Sequence, residues 1–190
     1  MSKAIKIYQI KISLEHVKPP IWRRVLINSD TSLAKLHYVI QMAMGWDDYH
    51  LHQFITPQGF YGIPEPDIGF MTGDTINDES KVTVATFLKA EKDAIKYEYD
   101  FGDSWVHKIQ LEKILPPDKS MQLPQCIKGK RACPPEDCGG VWGYQELVEI
   151  VKDPSHEEYD DMIEWLGEDE YDPDSFDMDF VNMELQSISP

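Results

Sequence analysis

Two stretches near the start of the chain show the pattern expected of β-strands. From Ile5 to Leu14, β-branched residues are frequent and apolar residues occur at positions of both parities, which indicates a strand covered on both faces. Pro19-Pro20 interrupts the pattern, and Ile21 to Ile27 forms a second predicted strand. Trp22 and Arg24 share one face of this strand, opposite Arg23 and Val25.

The clearest helical pattern follows. Leu33, Leu36, Ile40 and Met44 repeat at helical spacing, Ser32 can cap the first turn, and Gly45 can end the helix in a left-handed conformation.

The remaining pattern predicts further strands and helices separated by irregular segments. Pro116-Pro117 ends the second strand of a predicted hairpin that turns at Gly102-Asp103, and Asp153-Pro154 and Asp172-Pro173 are expected to begin the last two helices. The predicted strands are 51–56, 60–62, 95–101 and 105–115; the predicted loops are 63–81 and 116–140; and the predicted helices lie within 82–88, 144–151, 159–166 and 176–183.

This order predicts an α+β protein with a mixed, mainly antiparallel sheet packed with helices. The strand–strand–helix–strand start is compatible with a β-grasp arrangement. We expect a single domain over residues 1–190, divided into a sheet-rich body (1–115), a Cys/Pro/Gly-rich segment (116–140) and an acidic helical part (141–190).

The charge is distributed unevenly along the chain. The formal net charge is −16; residues 1–135 carry 17 basic and 16 acidic residues, whereas residues 136–190 carry 1 basic and 18 acidic residues. An acidic surface repels phosphate backbones and anionic lipid, so direct nucleic-acid binding and membrane binding are not expected. No signal peptide pattern opens the chain, and the three cysteines do not suggest a disulfide scaffold, so we predict a cytoplasmic protein.

Histidines and aspartates in two predicted strand regions suggest a site. His50 and His52 project from one face of a strand, and His107 follows the turn that contains Asp103. If the hairpin that turns at Gly102-Asp103 lies beside the strand of His50 and His52, then His50, His52, Asp103 and His107 can form a metal-binding or acid–base cluster. The alternative is that the histidines are separately buried or exposed and that the aspartates stabilise the turn.

The three cysteines lie close together in sequence. Cys126, Cys133 and Cys138 have the spacing Cys-x6-Cys-x4-Cys, of which only the second interval fits a zinc knuckle. They can therefore supply part of a site for zinc or another divalent metal, or simply belong to a rigid Pro/Gly-rich loop.

Aromatic and charged residues near these segments are candidates for partner binding, because such residues are common at recognition surfaces. The alternative is a structural role, with Trp22 in the core and an arginine paired with a local carboxylate. The candidate binding residues are Trp22, Arg24, Trp46, Asp100 and Trp105.

Several of these stretches together resemble one family. They are 19–24, 33–54 (with His50-Leu51-His52-Gln53-Phe54), 97–107, 131–144, and Trp165-Leu166-Gly167 with Asp172-Pro173 and Phe176-Asp177. The chain resembles the Ri-plasmid ORF-three-like family, whose relatives are also labelled TnpR-family passenger proteins of an insertion element. The resemblance implies a mobile-element context, and it assigns no roles to residues.

Three functions are therefore open. The first is a non-catalytic interaction or adaptor domain with a protein partner, suggested by the absence of a recognised catalytic motif. The second is a metal-dependent enzyme that uses the His/Asp cluster. The third is an accessory role in DNA recombination, which would require a local basic patch around Lys128, Lys130 and Arg131.

Overall fold

The computed structural model describes residues 5–64, 75–167 and 171–188. Its core is one eight-stranded sheet in the order β5-β4-β3-β6-β7-β1-β2-β8. The strands are β1 Ile7–Leu14, β2 Trp22–Asn28, β3 His52–Thr56, β4 Gly59–Gly62, β5 Ile76–Asp78, β6 Ala94–Tyr99, β7 Trp105–Leu115 and β8 Gln125–Lys130. The helices are α1 Leu33–Met44, α2 Val84–Phe87, α3 Gly140–Lys152, α4 Tyr159–Leu166 and α5 Met178–Ser187, with a 3-10 turn at Glu79–Lys81.

The sheet is mixed and mainly antiparallel, as predicted, since only β4 and β5 run parallel. The expected strand–strand–helix–strand start is present, and β1 lies between β2 and β7, antiparallel to both. The predicted hairpin over β6 and β7 is also formed.

One face of this sheet packs on the core. The side chains of Tyr8, Ile10 and Ile12 on β1 belong to the same buried cluster as the apolar stripe of α1, including Leu36 and Ile40. The side chains between them on β1 are only partly buried and lie on the other face.

Helix α1 begins and ends as the sequence predicts. The Ser32 hydroxyl accepts a hydrogen bond from the Lys35 amide at 3.1 Å, and Gly45 adopts a left-handed conformation with φ 92°.

Two predicted loops contain regular structure. Residues 76–78 form the edge strand β5, and residues 125–130 form β8, which pairs with β2. The prediction of irregular structure was therefore wrong for these residues; both strands are short, and tertiary pairing rather than local pattern stabilises them. Residues 65–74 of the predicted 63–81 loop lie outside the described residues.

The predicted starts of the last two helices were also wrong. Asp153 follows the end of α3, and α4 begins only at Tyr159. Asp177 rather than Asp172 caps α5, accepting a hydrogen bond from the Phe180 amide at 2.9 Å. Asp153 and Asp172 instead bond the amides two residues ahead, in turns that aspartate favours.

Helix α5 packs beside α1 and against β8. Val181 and Leu185 are buried there, and the Asn182 side chain bonds both the amide and the carbonyl of Cys126 at 2.8 and 2.9 Å. In the described part of the chain, no helix has the length and hydrophobicity that crossing a bilayer requires.

Candidate functional site

A cleft of about 540 Å³ opens between α1, the start of β3 and the Glu79 turn. The described side chains that line it include three histidines and three carboxylates, and no lysine or arginine. These titratable groups are His37, His50, His52, Asp48, Asp78 and Glu79. A cleft of this composition favours cations over anions.

Two stacked imidazoles lie at the buried end of the cleft. His37 comes from α1 and His52 from the first position of β3, and their rings are parallel within 7° with centroids 3.6 Å apart. Both side chains are buried. Each ring is fixed by a carboxylate: His37 Nε2 lies 2.8 Å from Asp48 Oδ1, and His52 Nε2 lies 2.9 Å from Glu79 Oε2.

A buried hydrogen-bond chain supports His37 from behind. Gln41, one helical turn after His37, accepts from the Asp48 amide through Oε1 and donates through Nε2 to the Tyr97 hydroxyl at 3.0 Å. The Tyr97 hydroxyl lies 2.8 Å from His37 Nδ1. Tyr97 and Gln41 are both fully buried, so this chain is shielded from solvent.

The directions of these bonds fix the tautomer of His37. Because the Tyr97 hydroxyl already accepts from Gln41, its proton is donated to His37 Nδ1, which must be the unprotonated ring nitrogen. The proton of the neutral ring is therefore on Nε2 and is donated to Asp48. An ion bound at Nε2 would displace this proton to solvent, and Nδ1 would then donate to the Tyr97 hydroxyl in place of accepting from it. Burial, reinforced by His52, lowers the pKa of His37 to about 3, so the ring is neutral at physiological pH.

Neutral imidazole is the form that binds metal ions. His37, Asp48 and His52 can each offer one ligand atom, and these atoms lie within 4.8 Å of one another. Two histidines and one carboxylate form the donor set of many catalytic zinc sites, in which the fourth position stays open. Carboxylate and hydroxyl groups behind the ligating imidazoles, as Glu79 and Tyr97 are here, orient such rings in known sites.

Removing the Tyr97 hydroxyl should destabilise the protein. In Tyr97→Phe, the Gln41 amide and His37 Nδ1 lose their common partner in a fully buried site, and we expect the free energy of unfolding to fall by about 1–3 kcal/mol. Urea denaturation measures this change, with Tyr38→Phe on the exposed side of α1 as the control. A fall of less than about 0.5 kcal/mol would show that the hydroxyl is not an essential member of the chain.

A second group of potential ligands is centred on His50, which also lines this cleft. His50 Nε2 is 3.3 Å from both Glu136 Oε2 and Asp137 Oδ1, and its Nδ1 is 3.9 Å from Asp100 Oδ1. One potential ligand atom from each of His50, Asp100 and Asp137 lies within 4.8 Å of the other two, close enough to share an ion. The Tyr99 hydroxyl donates to Glu136 and accepts from the amides of Tyr49 and His50, and it thereby holds the segment between α1 and β3.

The four residues predicted to form one cluster lie in separate surroundings. His50 and His52 line the same cleft but contact different carboxylates. His107 is fully buried beneath Trp46 and donates through Nδ1 to the Trp105 carbonyl at 3.0 Å. Asp103 accepts a hydrogen bond from the Gly139 amide and joins the β6–β7 turn to the start of α3.

The three cysteines do not form a shared ligand group in the structure. Among the described residues, the only groups of three potential ligands are the two given above, one that contains His37 and one that contains His50. Cys126 is buried on β8, and Cys133 and Cys138 are partly buried. Burial raises the pKa of Cys138 to about 12 and that of Cys133 further, so both are protonated thiols rather than reactive thiolates.

The candidate binding residues divide into two sets. Trp46 and Trp105 are buried, and the Trp46 indole donates to the Pro134 carbonyl at 2.9 Å. Asp100 is also buried and accepts from the Gly102 amide at 2.9 Å. Trp22 and Arg24 instead lie on the open face of the sheet, where Arg24 makes a two-pronged ion pair with Glu112.

Comparison with known proteins places the chain in a family. A family model described as "Plasmid pRiA4b ORF-3-like protein" matches residues 6–180. The chain belongs to the plasmid pRiA4b ORF-3-like family. It is 35% identical over 187 residues to "Uncharacterized protein y4hQ" of Sinorhizobium fredii (strain NBRC 101917 / NGR234), a match that covers 96% of this chain and 92% of that protein.

A solved structure supports the fold of this plasmid pRiA4b ORF-3-like protein. The crystal structure of a protein of unknown function, MM3350 from Methanosarcina mazei Go1, matches with a TM-score of 0.81 and 40% identity, covering 93% of this chain and 98% of that one. The α+β fold and the predicted family are thereby confirmed, and the link to a mobile element rests on the family name.

Sequence reasoning missed most of the cleft in this plasmid pRiA4b ORF-3-like protein. His37, Asp48, Glu79 and Tyr97 were not among the predicted site residues. One signal was available, because His37 and Gln41 are polar residues four apart that directly follow Leu36 and Ile40 in the buried stripe of α1. Glu79 gave no such signal, since it falls in a segment predicted to be a loop.

Proposed function

We propose that this protein is a metal-dependent enzyme whose divalent ion, zinc in the first instance, is held by His37, Asp48 and His52. The observation that carries the proposal is the buried pair of imidazoles, each fixed by a carboxylate, at the end of an open cleft whose described lining contains no lysine or arginine. Buried polar groups with a shifted pKa cluster at functional sites more often than elsewhere. The interaction domain suggested by the sequence remains a prediction.

The three ligand residues would have different roles in the site. Asp48 is the most exposed of the three ligands and borders the opening, whereas the histidines are held rigidly from behind. A zinc ion with three protein ligands and an open position lowers the pKa of a bound water to about 7 and can supply hydroxide for hydrolysis. The cleft volume of about 540 Å³ is of the size that small-molecule substrates occupy.

The first test is metal binding by the full-length protein. Protein stripped with chelator should bind one zinc ion per chain in a calorimetric titration, and Asp48→Asn should weaken binding by at least about tenfold because the ligand loses its charge. Asp47→Asn is the matched control, since the neighbouring carboxylate is exposed and outside the cleft lining. Circular dichroism of each variant shows whether the fold is kept.

Two results would contradict the assignment of the ligands. Absence of zinc binding to the stripped protein would remove the metal site altogether. Loss of binding in His50→Ala with no change in Asp48→Asn would move the ion to the group formed by His50, Asp100 and Asp137.

The second test concerns catalysis. Hydrolysis of p-nitrophenyl acetate and of bis(p-nitrophenyl) phosphate should be lost with chelator, restored by zinc, and reduced in Asp48→Asn in proportion to its zinc content. Zinc binding without hydrolysis of either compound would contradict a hydrolytic role and leave a binding site only.

A further inference from the structure

The face of the sheet turned away from α1 carries two rows of side chains that run across neighbouring strands. Residues directly opposite each other in antiparallel pairs share a face, so the register defines each row. The first row runs Lys128, Arg24, Lys11 and Gln110 from β8 to β7. The second runs Lys130, Trp22, Ser13, Lys108 and Lys96 from β8 to β6.

These rows hold six cations, several of them directly opposite one another. Lys128, Arg24 and Lys11 are neighbours on three successive strands, and Lys108 lies opposite Lys96. Like charges directly opposite each other in a sheet destabilise it. Such an arrangement is unfavourable for stability alone, and local violations of this kind occur at functional surfaces.

Few carboxylates compensate for these cations. Glu112 pairs with Arg24, and Glu15 pairs with Lys96 at 2.7 Å. No carboxylate in the described part of the chain forms an ion pair with Lys108, Lys128 or Lys130, and all three are exposed.

The acidic helix α5 lies on the other side of the sheet. It packs beside α1, and Phe176, just before it, covers the core-facing side of Gly129 on β8. The carboxylates of α5 are therefore on the opposite side of the sheet from the two rows.

An aromatic ring lies among the cations. Trp22 is partly buried, with Lys11 Nζ 5.0 Å and the Arg24 guanidinium 5.2 Å from its ring. A cationic surface that tracks the backbone, combined with an aromatic ring on which a base can stack, is the combination that binds single-stranded nucleic acid. Five strands about 4.8 Å apart span about 19 Å, which is enough for several successive nucleotides.

We propose that the open face over β8, β2, β1, β7 and β6 binds single-stranded nucleic acid. The cations of the two rows contact phosphates, and Trp22 stacks against a base. Duplex DNA is a poorer occupant because its bases are stacked inside the helix, so that Trp22 could stack on one only after that base had been unstacked. The proposal is independent of the metal site, which lies in the cleft on the α1 side.

The test is fluorescence anisotropy with a labelled oligothymidylate of about 20 nucleotides and chelator-treated full-length protein. We expect binding at low salt that weakens steeply as salt is raised. The double variant Lys108→Glu and Lys128→Glu should weaken binding at least about tenfold, and Trp22→Ala should weaken it several-fold. The control is Lys89→Glu with Lys119→Glu, which makes the same change in net charge at exposed positions outside both rows.

Four outcomes would overturn the proposal. They are absence of binding at low salt, an equal loss in the control variant, equal or tighter binding of duplex DNA of the same length, and equal binding of polyglutamate. Self-association of the wild-type protein at low salt that the double variant abolishes, without oligonucleotide binding, would assign the face to the acidic part of a second copy instead.

Discussion

Replacing Arg23 with methionine is expected to lower the free energy of unfolding by about 3–5 kcal/mol. Arg23 is buried, and its guanidinium donates to three backbone carbonyls: Ala43 at 2.8 Å, Trp22 at 3.0 Å and Lys130 at 3.1 Å. The substitution keeps a long apolar side chain but leaves these carbonyls without their donor. Urea denaturation of the purified variant measures the loss.

The position of Arg23 explains the expected size of the effect. Ala43 is in the last turn of α1, where unpaired carbonyls and the helix dipole favour a cation. Lys130 is at the end of β8, and the Phe176 ring lies 4.3 Å from the guanidinium. A single side chain therefore joins α1, two strands and the segment that leads into α5, and no carboxylate is paired with it in the described part of the chain.

Arg24→Met is the matched control, because it places the same substitution on the opposite face of the same strand. Arg24 is partly exposed, so loss of its ion pair with Glu112 should cost no more than about 1 kcal/mol. Equal losses at positions 23 and 24 would show that the buried contacts of Arg23 contribute nothing specific.

The strands and helices that the sequence predicted correctly are those with a local signal. The apolar stripe of α1 and the hairpin of β6 and β7 depend on periodicity and turn residues that lie within one element. Strand β8 depends instead on pairing with β2, about 100 residues earlier, and β5 on pairing with β4. Such long-range pairing leaves no periodic pattern in a strand of three to six residues.

The candidate site was predicted only in part for the same reason. The sequence identified His52 and its strand, but its partner His37 comes from a helix and Glu79 from a turn after β5. The predicted neighbours His52 and His107 lie two strands apart in the sheet order, with β6 between β3 and β7, and they face different surroundings. Strand order determines which side chains become neighbours in the folded protein, and a single sequence does not specify that order.

The distribution of charge over the surface was also predicted only in part from the sequence. Counting residues along the chain located the acidic excess after residue 135. It could not show that Lys128 and Lys130 would align with Arg24 and Lys108 on a face opposite α5, because that alignment follows from the pairing of β8 with β2. Net charge describes the long-range field of a protein, whereas a binding surface depends on the charges of one face.

Stability should fall as the pH is lowered below about 6.5, and His107 should account for a defined part of the loss. His107 is fully buried, donates through Nδ1 to the Trp105 carbonyl, and has no partner for Nε2 in the described part of the chain. Burial, with a smaller contribution from Arg23, lowers its pKa to about 4. The folded protein therefore keeps this ring neutral where the unfolded chain, with a pKa of about 6.5, takes up a proton.

Because the unfolded state binds more protons between these two values, stability rises with pH across the window and is lost as the pH falls through it. Between about pH 6.5 and pH 5, one such group accounts for about 2 kcal/mol, and His37, whose pKa is lowered to about 3, adds a similar amount. Urea denaturation of His107→Gln at about pH 7.5 and pH 5 should show a pH-dependent loss about 2 kcal/mol smaller than in the wild type. The control is His156→Gln, in the loop between α3 and α4, whose free energy of unfolding should fall with pH by as much as that of the wild type. If the fall in His107→Gln also equals that of the wild type, His107 is not the group that titrates.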